Sequence, residues 1–225
     1  MHKKDKSHIL RIGLAGNPNC GKTTVFNGYT GARQHVGNYP GVTVEKKEGQ
    51  IQFEGETITL VDLPGIYSLT AYSEEELAAR EELVLSNMRS VIDIIDASAM
   101  ERSLLLTIQL LEMGMPLVVA CNMMDEAQKA GIQINMQLLA KRLNTPVLPM
   151  VARKEEGLKE VLSEAAKLAN DGQRQPLHIS YGADIDEALL EMEKCIDSSN
   201  SNNYPYNSRF IALKFIENDF EKKKK

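Results

Sequence analysis

Short apolar runs at residues 9–15, 57–61, 91–95, 117–121 and 146–150 are separated by segments whose apolar residues recur at three- and four-residue spacing. Runs of that length between turn-forming residues predict buried strands, and the spaced segments 22–29, 74–88, 101–113, 136–143 and 157–168 predict helices with one apolar face. Strands that alternate with helices predict an α/β class with a parallel, doubly wound sheet. Residues 42–53 behave differently, because apolar and polar positions alternate there and Glu54-Gly55-Glu56 turns the chain into 57–62. That pattern predicts a hairpin, and so one antiparallel edge strand on a mostly parallel sheet.

The pattern changes near residue 170. Residues 170–175 are polar, contain Gly172 and run into Pro176, so a boundary is expected there between a larger domain, 1–170, and a small all-helical one, 171–225. In the second part, Ile185, Ala188, Leu189, Met192 and Ile196 fall on one face of a helix over 184–196, a low-complexity polar loop comes next at 198–203, and a second helix is expected over 208–220. Two helices make a thin core, so this unit is expected to lean on the larger one. The run Lys222 to Lys225 reads as a solvated tail.

Composition narrows the function classes. The chain has 225 residues, 43% hydrophobic and 25% charged, and carries a net charge of −5 from 31 acids and 26 bases. These values fit a folded globular protein with no basic field to attract nucleic acid or an anionic membrane, so neither is an expected partner. The apolar stretch 104–121 is interrupted by Gln109, Glu112, Gly114 and Pro116 and reads as a helix followed by a strand, not as a membrane span. Residues 1–8 are polar and lack the apolar run of a secretory signal, which gives a cytoplasmic expectation. Cys20, Cys121 and Cys195 are odd in number and scattered, as are His2, His8, His35 and His178, so reduced thiols are expected and no iron site made by this chain.

The chemistry starts directly after the first predicted strand. Gly16-Asn17-Pro18-Asn19-Cys20-Gly21-Lys22-Thr23 is a complete G-x-x-x-x-G-K-[ST] phosphate loop that opens a predicted helix, with Thr24 next to it. The glycines let successive backbone N–H groups curl around an anion at the positive end of the helix. Lys22 supplies charge to β- and γ-phosphates, and Thr23 offers a hydroxyl to Mg²⁺. Asp62-Leu63-Pro64-Gly65 ends the strand 57–62; Asp62 can hold Mg²⁺ through a water, and the Gly65 N–H can bond a γ-phosphate oxygen only while that phosphate is present. Between the two motifs, residues 35–43 are rich in Gly and aromatics, and Thr43 in Gly41-Val42-Thr43-Val44-Glu45 stands where the loop enters a strand, which makes it the candidate second hydroxyl ligand for the metal. Asn122-Met123-Met124-Asp125 closes the strand 117–121. A carboxylate at Asp125 accepts from both N1–H and the 2-amine of guanine, while adenine has no such donor pair. Met123 can cover the base with its thioether. Backbone N–H groups of Val151-Ala152-Arg153, after the next strand, are candidates for guanine O6.

Four motifs in this order, each at a strand's end, resemble the Ras-like small GTPases of the translation-factor-related class. More narrowly, residues 16–23, Gly37-Asn38-Tyr39-Pro40-Gly41-Val42-Thr43-Val44-Glu45, Asp62-Leu63-Pro64-Gly65-Ile66-Tyr67-Ser68-Leu69 and residues 122–125 together are similar to the cytosolic N-terminal GTPase domain of the ferrous iron transport protein B family. Tyr181-Gly182, the acidic helix after it and Arg209-Phe210-Ile211-Ala212-Leu213-Lys214 are similar to that family's helical domain. The resemblance implies a GTP/GDP switch with Mg²⁺ that regulates bacterial ferrous iron uptake, a helical domain that slows GDP release, and a membrane-spanning transporter part of the same protein as partner. It also implies a place on the cytoplasmic face of the inner membrane. Three departures are evident: the family's helical domain is longer than the stretch after Pro176, the membrane-spanning part is absent from these residues, and Val151 stands where many GTPases have Ser.

Ile66 occupies the position where Ras-like hydrolases have a water-orienting Gln. Turnover is therefore expected to be slow. Arg33 is a candidate arginine finger from its place before the switch segment but reads as an ordinary surface charge. GTPases resembling this chain, with Asn at the position of Asn19 and an apolar residue after D-x-x-G, hold K⁺ beside the phosphates through the Asn oxygen, so K⁺ is the third expected cofactor. The same four motifs fit a ribosome-assembly or tRNA-modification GTPase, against which acidity argues. A P-loop ATPase or small-molecule kinase fits the loop but not Asp125.

Overall fold

The computed structural model describes residues 9–31, 33–70, 72–172, 176–199 and 206–219. The polar N-terminus to His8, most of the 198–203 loop and the Lys222 to Lys225 run lie outside the described residues.

Among the described residues, seven strands form one sheet in the order β2-β3-β4-β1-β5-β6-β7: β1 (Leu10–Gly16), β2 (Gln34–Asn38), β3 (Glu45–Phe53), β4 (Glu56–Asp62), β5 (Ser90–Asp96), β6 (Leu117–Asn122) and β7 (Val147–Pro149). Neighbours from β4 to β7 pair in parallel. The expected antiparallel strand is β3, turned into β4 by Glu54 and Gly55, both in left-handed conformation. It is not the edge: β2 pairs antiparallel on its outer side. The hydrophobic pattern does not predict β2, because Gln34-His35-Val36-Gly37-Asn38 buries no side chain completely, and an exposed strand lacks the one-sided pattern that identifies a buried one.

Helices cover both faces: α1 (Lys22–Thr30), α2 (Glu74–Leu85), α3 (Met100–Glu112), α4 (Met124–Lys129), α5 (Met136–Leu143) and α6 (Leu158–Asp171). Two apolar clusters result. One contains Val61, Val91, Ile95, Leu106, Leu110, Val119 and Cys121; the other contains Ile12, Leu14, Phe26, Ile58, Ile92, Val118 and Val161. Alternate residues of the same strands feed opposite clusters, as the two-residue side-chain period requires. Helix α2 starts on a complete capping box, with Ser73 and Glu76 each satisfying the other's backbone N–H, and ends at Leu85, three residues short of the expected Met88.

Two further helices, α7 (Ala183–Ser198) and α8 (Ser208–Ile216), pack on each other through Leu189, Ala212 and Leu213. The expected dependence on the larger part is visible: Phe210 belongs to the first large cluster, Asn207 Nδ2 donates to the Glu112 carbonyl at 2.8 Å, and Tyr181 Oη donates to the Glu112 carboxylate at 2.6 Å. Helix α8 stops four residues before the expected Phe220, which is outside the described residues. No helix among the described residues is long and apolar enough to cross a membrane.

One buried acid stands out inside the sheet. Asp93 on β5, between Ala15 of β1 and Val119 of β6, is fully buried; Thr107 Oγ1 of α3 donates to its Oδ2 at 2.5 Å, and its Oδ1 has no partner among the described residues. Burial pushes its carboxyl up to about 7 from an ordinary value near 3.8, against the opposing Thr107 hydrogen bond. Between those values the unfolded chain has lost the proton and the native one still holds it, so stability falls as pH rises through this window, by on the order of 4 kcal/mol. Asp93→Asn removes this titration but adds an amide donor that itself needs a partner. The variant is expected to be about 2 kcal/mol more stable than the parent at pH 8 and to show no advantage at pH 4. Urea unfolding at both pH values checks this, and an equal difference at the two would refute it.

Candidate functional site

The phosphate loop emerges from β1 at the carboxyl end of the sheet, where open α/β sheets place ligands. Two positions require glycine. A Cβ on Gly16 would lie 2.4 Å from the Ile94 carbonyl oxygen, and one on Gly21 would lie 2.3 Å from Asn122 Nδ2, with both residues at positive φ. The loop therefore closes tightly against β5 on one side and β6 on the other. Asn17 is buried and donates from Nδ2 to the Arg102 carbonyl at 3.0 Å, which fastens the loop to α3. Pro18 and Asn19 form the exposed rim, Asn19 in left-handed conformation with φ 67°. Cys20 is buried, and burial pushes its thiol up to about 12. It is an inert filler at neutral pH, not a reactive thiolate. Thr23 and Thr24 open α1 with their side chains exposed.

Lys22 and Asp62 meet directly. Lys22 Nζ lies 2.5 Å from Asp62 Oδ1, and both side chains are nearly buried. The lysine expected at the phosphates and the acid expected at the metal thus satisfy each other. The Asp62 carboxylate under this cation, and the hydroxyl of Thr23 next to Lys22 in the first turn of α1, are hard oxygens of the kind that suits Mg²⁺. The rest of D-x-x-G lies alongside: Leu63 N–H donates to the Leu14 carbonyl at 3.0 Å, Leu63 and Pro64 are buried, and the exposed Gly65 faces Pro18, whose Cα would be 3.5 Å from a Cβ placed there. Ile66 is buried in the first apolar cluster. Its side chain anchors the loop in the core and does not reach the phosphate side.

Gly41 and Thr43 are exposed and Val42 is half-buried, in the segment between β2 and β3. No hydrogen bond among the described residues joins the Thr43 side chain to Thr23 or Asp62, so the expected pair of hydroxyl ligands is not assembled. Arg33, His35 and His178 are exposed.

The base end is assembled. Asn122 Nδ2 donates to the Cys20 carbonyl and Asn122 Oδ1 accepts from the Ala152 N–H, each at 2.9 Å, so this one side chain ties the phosphate loop to the segment after β7. Beside it is a cavity of about 350 Å³ lined by residues of the phosphate loop and α1 (Gly21, Thr24), of the 122–126 segment (Asn122, Met123, Asp125, Glu126) and of the segment after β7 (Val151, Ala152, Arg153). Met123 takes φ 60°, which breaks β6 from α4 and leaves Asp125 in the first turn of that helix. Asp125 Oδ1 accepts from the Glu126 N–H at 3.1 Å and Oδ2 pairs with the Arg153 guanidinium, which also lies 2.7 Å from Glu126 Oε1. Partial desolvation opposes ionisation of Asp125, but the hydrogen bond and charge of Arg153 hold its carboxyl below the ordinary range.

The backbone donors after β7 are less available than expected. Val151 N–H donates to the Glu156 carbonyl at 3.0 Å and Ala152 N–H to Asn122, so two of the three amides expected at guanine O6 are already engaged. No sequence pattern carries this, because it depends on the bridge between Val151 and Glu156. Two further residues have roles at the site that the motifs do not disclose. Arg153 is expected to act through its backbone, yet its side chain lines the cavity and pairs with Asp125 and Glu126. Gln109 of α3, which accepts the Leu69 N–H at 2.6 Å and so fixes the segment after D-x-x-G, carries no local motif. Among the described residues, no three or more His, Cys, Asp or Glu side chains cluster as metal ligands.

The family described as "Ferrous iron transport protein B" matches residues 10–165, and "FeoB cytosolic helical domain" matches 181–225. A fusion protein of Fe(2+) transport protein A and Fe(2+) transporter FeoB from Porphyromonas gingivalis is 41% identical over 222 residues, 97% of this chain but 26% of that protein. The cytosolic domain of the T. maritima FeoB iron transporter in its GMPPNP form superposes with a TM-score of 0.88 at 37% identity, covering 95% of this chain and 83% of that one. One of its GDP forms gives 0.88 at 37% identity, covering 94% and 83%. The chain thus spans only about a quarter of the curated relative's length.

Proposed function

Because this chain belongs to the ferrous iron transport protein B family, we propose that it is the family's GTP-binding, slowly GTP-hydrolysing switch, and that it gates ferrous iron passage through a membrane-spanning part of the same protein. The observation that carries this reading is the Asn122 bridge, which joins a phosphate loop to a cavity lined by the Asp125 carboxylate. The T. maritima relative has a GMPPNP form and GDP forms, which supports guanine as the base for this chain.

Each residue then has a defined task. Backbone N–H groups between Gly16 and Thr24, Pro18 having none, cradle the phosphates, and Lys22 leaves Asp62 to neutralise the β- and γ-phosphates. Thr23, Thr43 and Asp62 would hold Mg²⁺, which supplies charge neutralisation at the β- and γ-oxygens. Asn19, exposed on the rim, would hold K⁺ through its side-chain oxygen. Gly65 N–H reads the γ-phosphate, and loss of that phosphate releases both Gly65 and the Thr43 side chain from the ligand. With Ile66 in the core, no side chain directly after D-x-x-G can orient water, so hydrolysis is expected at about 10⁻³ to 10⁻² per second, the scale of unassisted switches. The 171–225 helical unit, resting on α3 and α2, is the element through which the nucleotide state reaches the remainder of the protein at the cytoplasmic face of the membrane.

Phosphate release from GTP and from ATP, each in K⁺ and in Na⁺, tests the proposal. Turnover of GTP but not ATP is expected, several-fold faster in K⁺, with the K⁺ response lost in Asn19→Ala. Equal turnover of the two nucleotides would sink the base assignment, and equal rates in the two salts would sink the K⁺ site.

A further inference from the structure

We infer that Tyr39 is a positioning residue that seats the 39–44 turn, and with it Thr43, on the end of the strand carrying Asp62. The inference rests on the proposed nucleotide reading and adds to it a residue outside the binding and metal set.

The placement follows from register. Lys47 of β3 lies opposite Asp62 of β4, and Glu45 of β3 lies opposite Asn38 of β2. The chain from Asn38 to Glu45 must therefore turn beyond the carboxyl end of β4, which is the end occupied by D-x-x-G and the phosphate loop. Within the described residues from Arg33 to Val44, Tyr39 is the one fully buried side chain, 3% exposed. Its own N–H donates to the Val44 carbonyl at 2.9 Å and its carbonyl accepts from the Val42 N–H at 3.4 Å, which closes the turn around Thr43.

The seat beneath the ring is firm. Lys46 Nζ lies 5.3 Å from the ring centroid and also pairs with Glu82 at 2.8 Å and Glu48 at 3.1 Å. Arg11 of β1 pairs with the same two acids at 3.1 and 2.8 Å. Glu82 is buried on α2, so the ring rests on a charge network that joins β1, β3 and the helix after D-x-x-G. Such a network holds its geometry because each charge has more than one partner.

The hydroxyl makes the arrangement specific. Tyr39 Oη donates to the main-chain carbonyl of Asp62 at 3.2 Å, while Lys22 holds the side chain of the same residue. When Lys22 departs for phosphate, the Asp62 carboxylate is freed and its main chain stays tethered to the turn that bears Thr43. The two candidate metal ligands then keep a fixed relation while the ion pair between the motifs is exchanged. A bulky apolar residue at 39 could fill the seat but could not make this tether.

Hydrogen exchange on the nucleotide-free chain and Mg²⁺ titration of nucleotide retention test the inference together. In Tyr39→Ala, amides of the 39–44 turn should exchange at least tenfold faster, and the Mg²⁺ concentration that half-retains a non-hydrolysable GTP analogue should rise about tenfold, with GDP affinity changed less than about twofold. Tyr39→Phe, which keeps the ring and fold and loses one hydrogen bond, should shift the Mg²⁺ requirement about threefold. Parallel weakening of GDP and analogue, or an unchanged Mg²⁺ requirement in both variants, would overturn it. Failure of the parent chain to bind any guanine nucleotide would instead overturn the underlying nucleotide reading.

Discussion

An Asp125→Asn variant should lose GTP affinity by on the order of 10³-fold and should prefer XTP over GTP. The reason is the donor pattern at the cavity. In the proposed complex the base meets the Asp125 carboxylate, which lines the cavity together with Asn122 and Met123, and both of its oxygens can accept, which matches the two adjacent donors of guanine. A site built to pair with particular donors rejects a base lacking them by about 10⁴-fold, because the buried partner is left unsatisfied. An amide at the same place presents one acceptor and one donor, matching N1–H and the 2-oxo group of xanthine. Arg153 sharpens the expectation. It pairs with Asp125 in this structure, and the neutral amide would release it to Glu126 Oε1, already 2.7 Å away. Competition between GTP and XTP for the variant is the measurement. Retained preference for GTP would mean that the base lies elsewhere.

Most of the candidate site is legible as sequence because its chemistry is carried by contiguous motifs. Gly16 to Thr23, Asp62 to Gly65 and Asn122 to Asp125 each end a strand, and the strands announce themselves as apolar runs whose side chains the sheet buries on both faces. The features that stay hidden depend on partners distant in the chain. Tyr39 reads as one aromatic residue in an exposed, Gly-rich stretch, and its role appears only when β3 brings Lys46 beneath it and β4 brings the Asp62 carbonyl above. Strand β2 is invisible for a related reason: its pairing satisfies backbone groups while leaving its side chains largely in solvent, so no hydrophobic period marks it. The Lys22–Asp62 pair shows the same limit from the opposite direction. A motif relates each of these residues to a ligand, whereas their attraction to each other arises from where the ends of β1 and β4 place two opposite charges in a nearly buried setting.

Arg80→Ala is expected to destabilise the protein by about 3 kcal/mol and to loosen the two C-terminal helices first. Arg80 is on α2, yet 5% exposed, and its Nη1 donates to Asp219 Oδ2 at 3.1 Å across 139 residues of sequence. Its guanidinium also lies 5.2 Å from the Tyr206 ring centroid and 5.8 Å from that of Phe210. Removing one member of a buried ion pair costs about 3–5 kcal/mol, chiefly because the other charge remains in a low-dielectric site. Lys214, 3.5 Å from Asp219, still faces that charge, which places the expectation at the lower end. The loss should be local in its first appearance, because α7 and α8 share only a small cluster around Leu189, Ala212 and Leu213 and are attached through Phe210 and Arg80 and through the Asn207 and Tyr181 hydrogen bonds to Glu112. Amides of α8 should therefore lose hydrogen-exchange protection well before those of α6, whose Val161, Leu162 and Ala165 are buried in the second large cluster. Arg80→Met keeps much of the packing against Tyr206 and Phe210 but removes the same pair with Asp219, and should recover only part of the loss. Urea unfolding with exchange measured helix by helix checks both variants. A uniform loss of protection across α6 and α8 would show that the helical unit and the sheet unfold as one body and that the Arg80–Asp219 pair is not the seam between them.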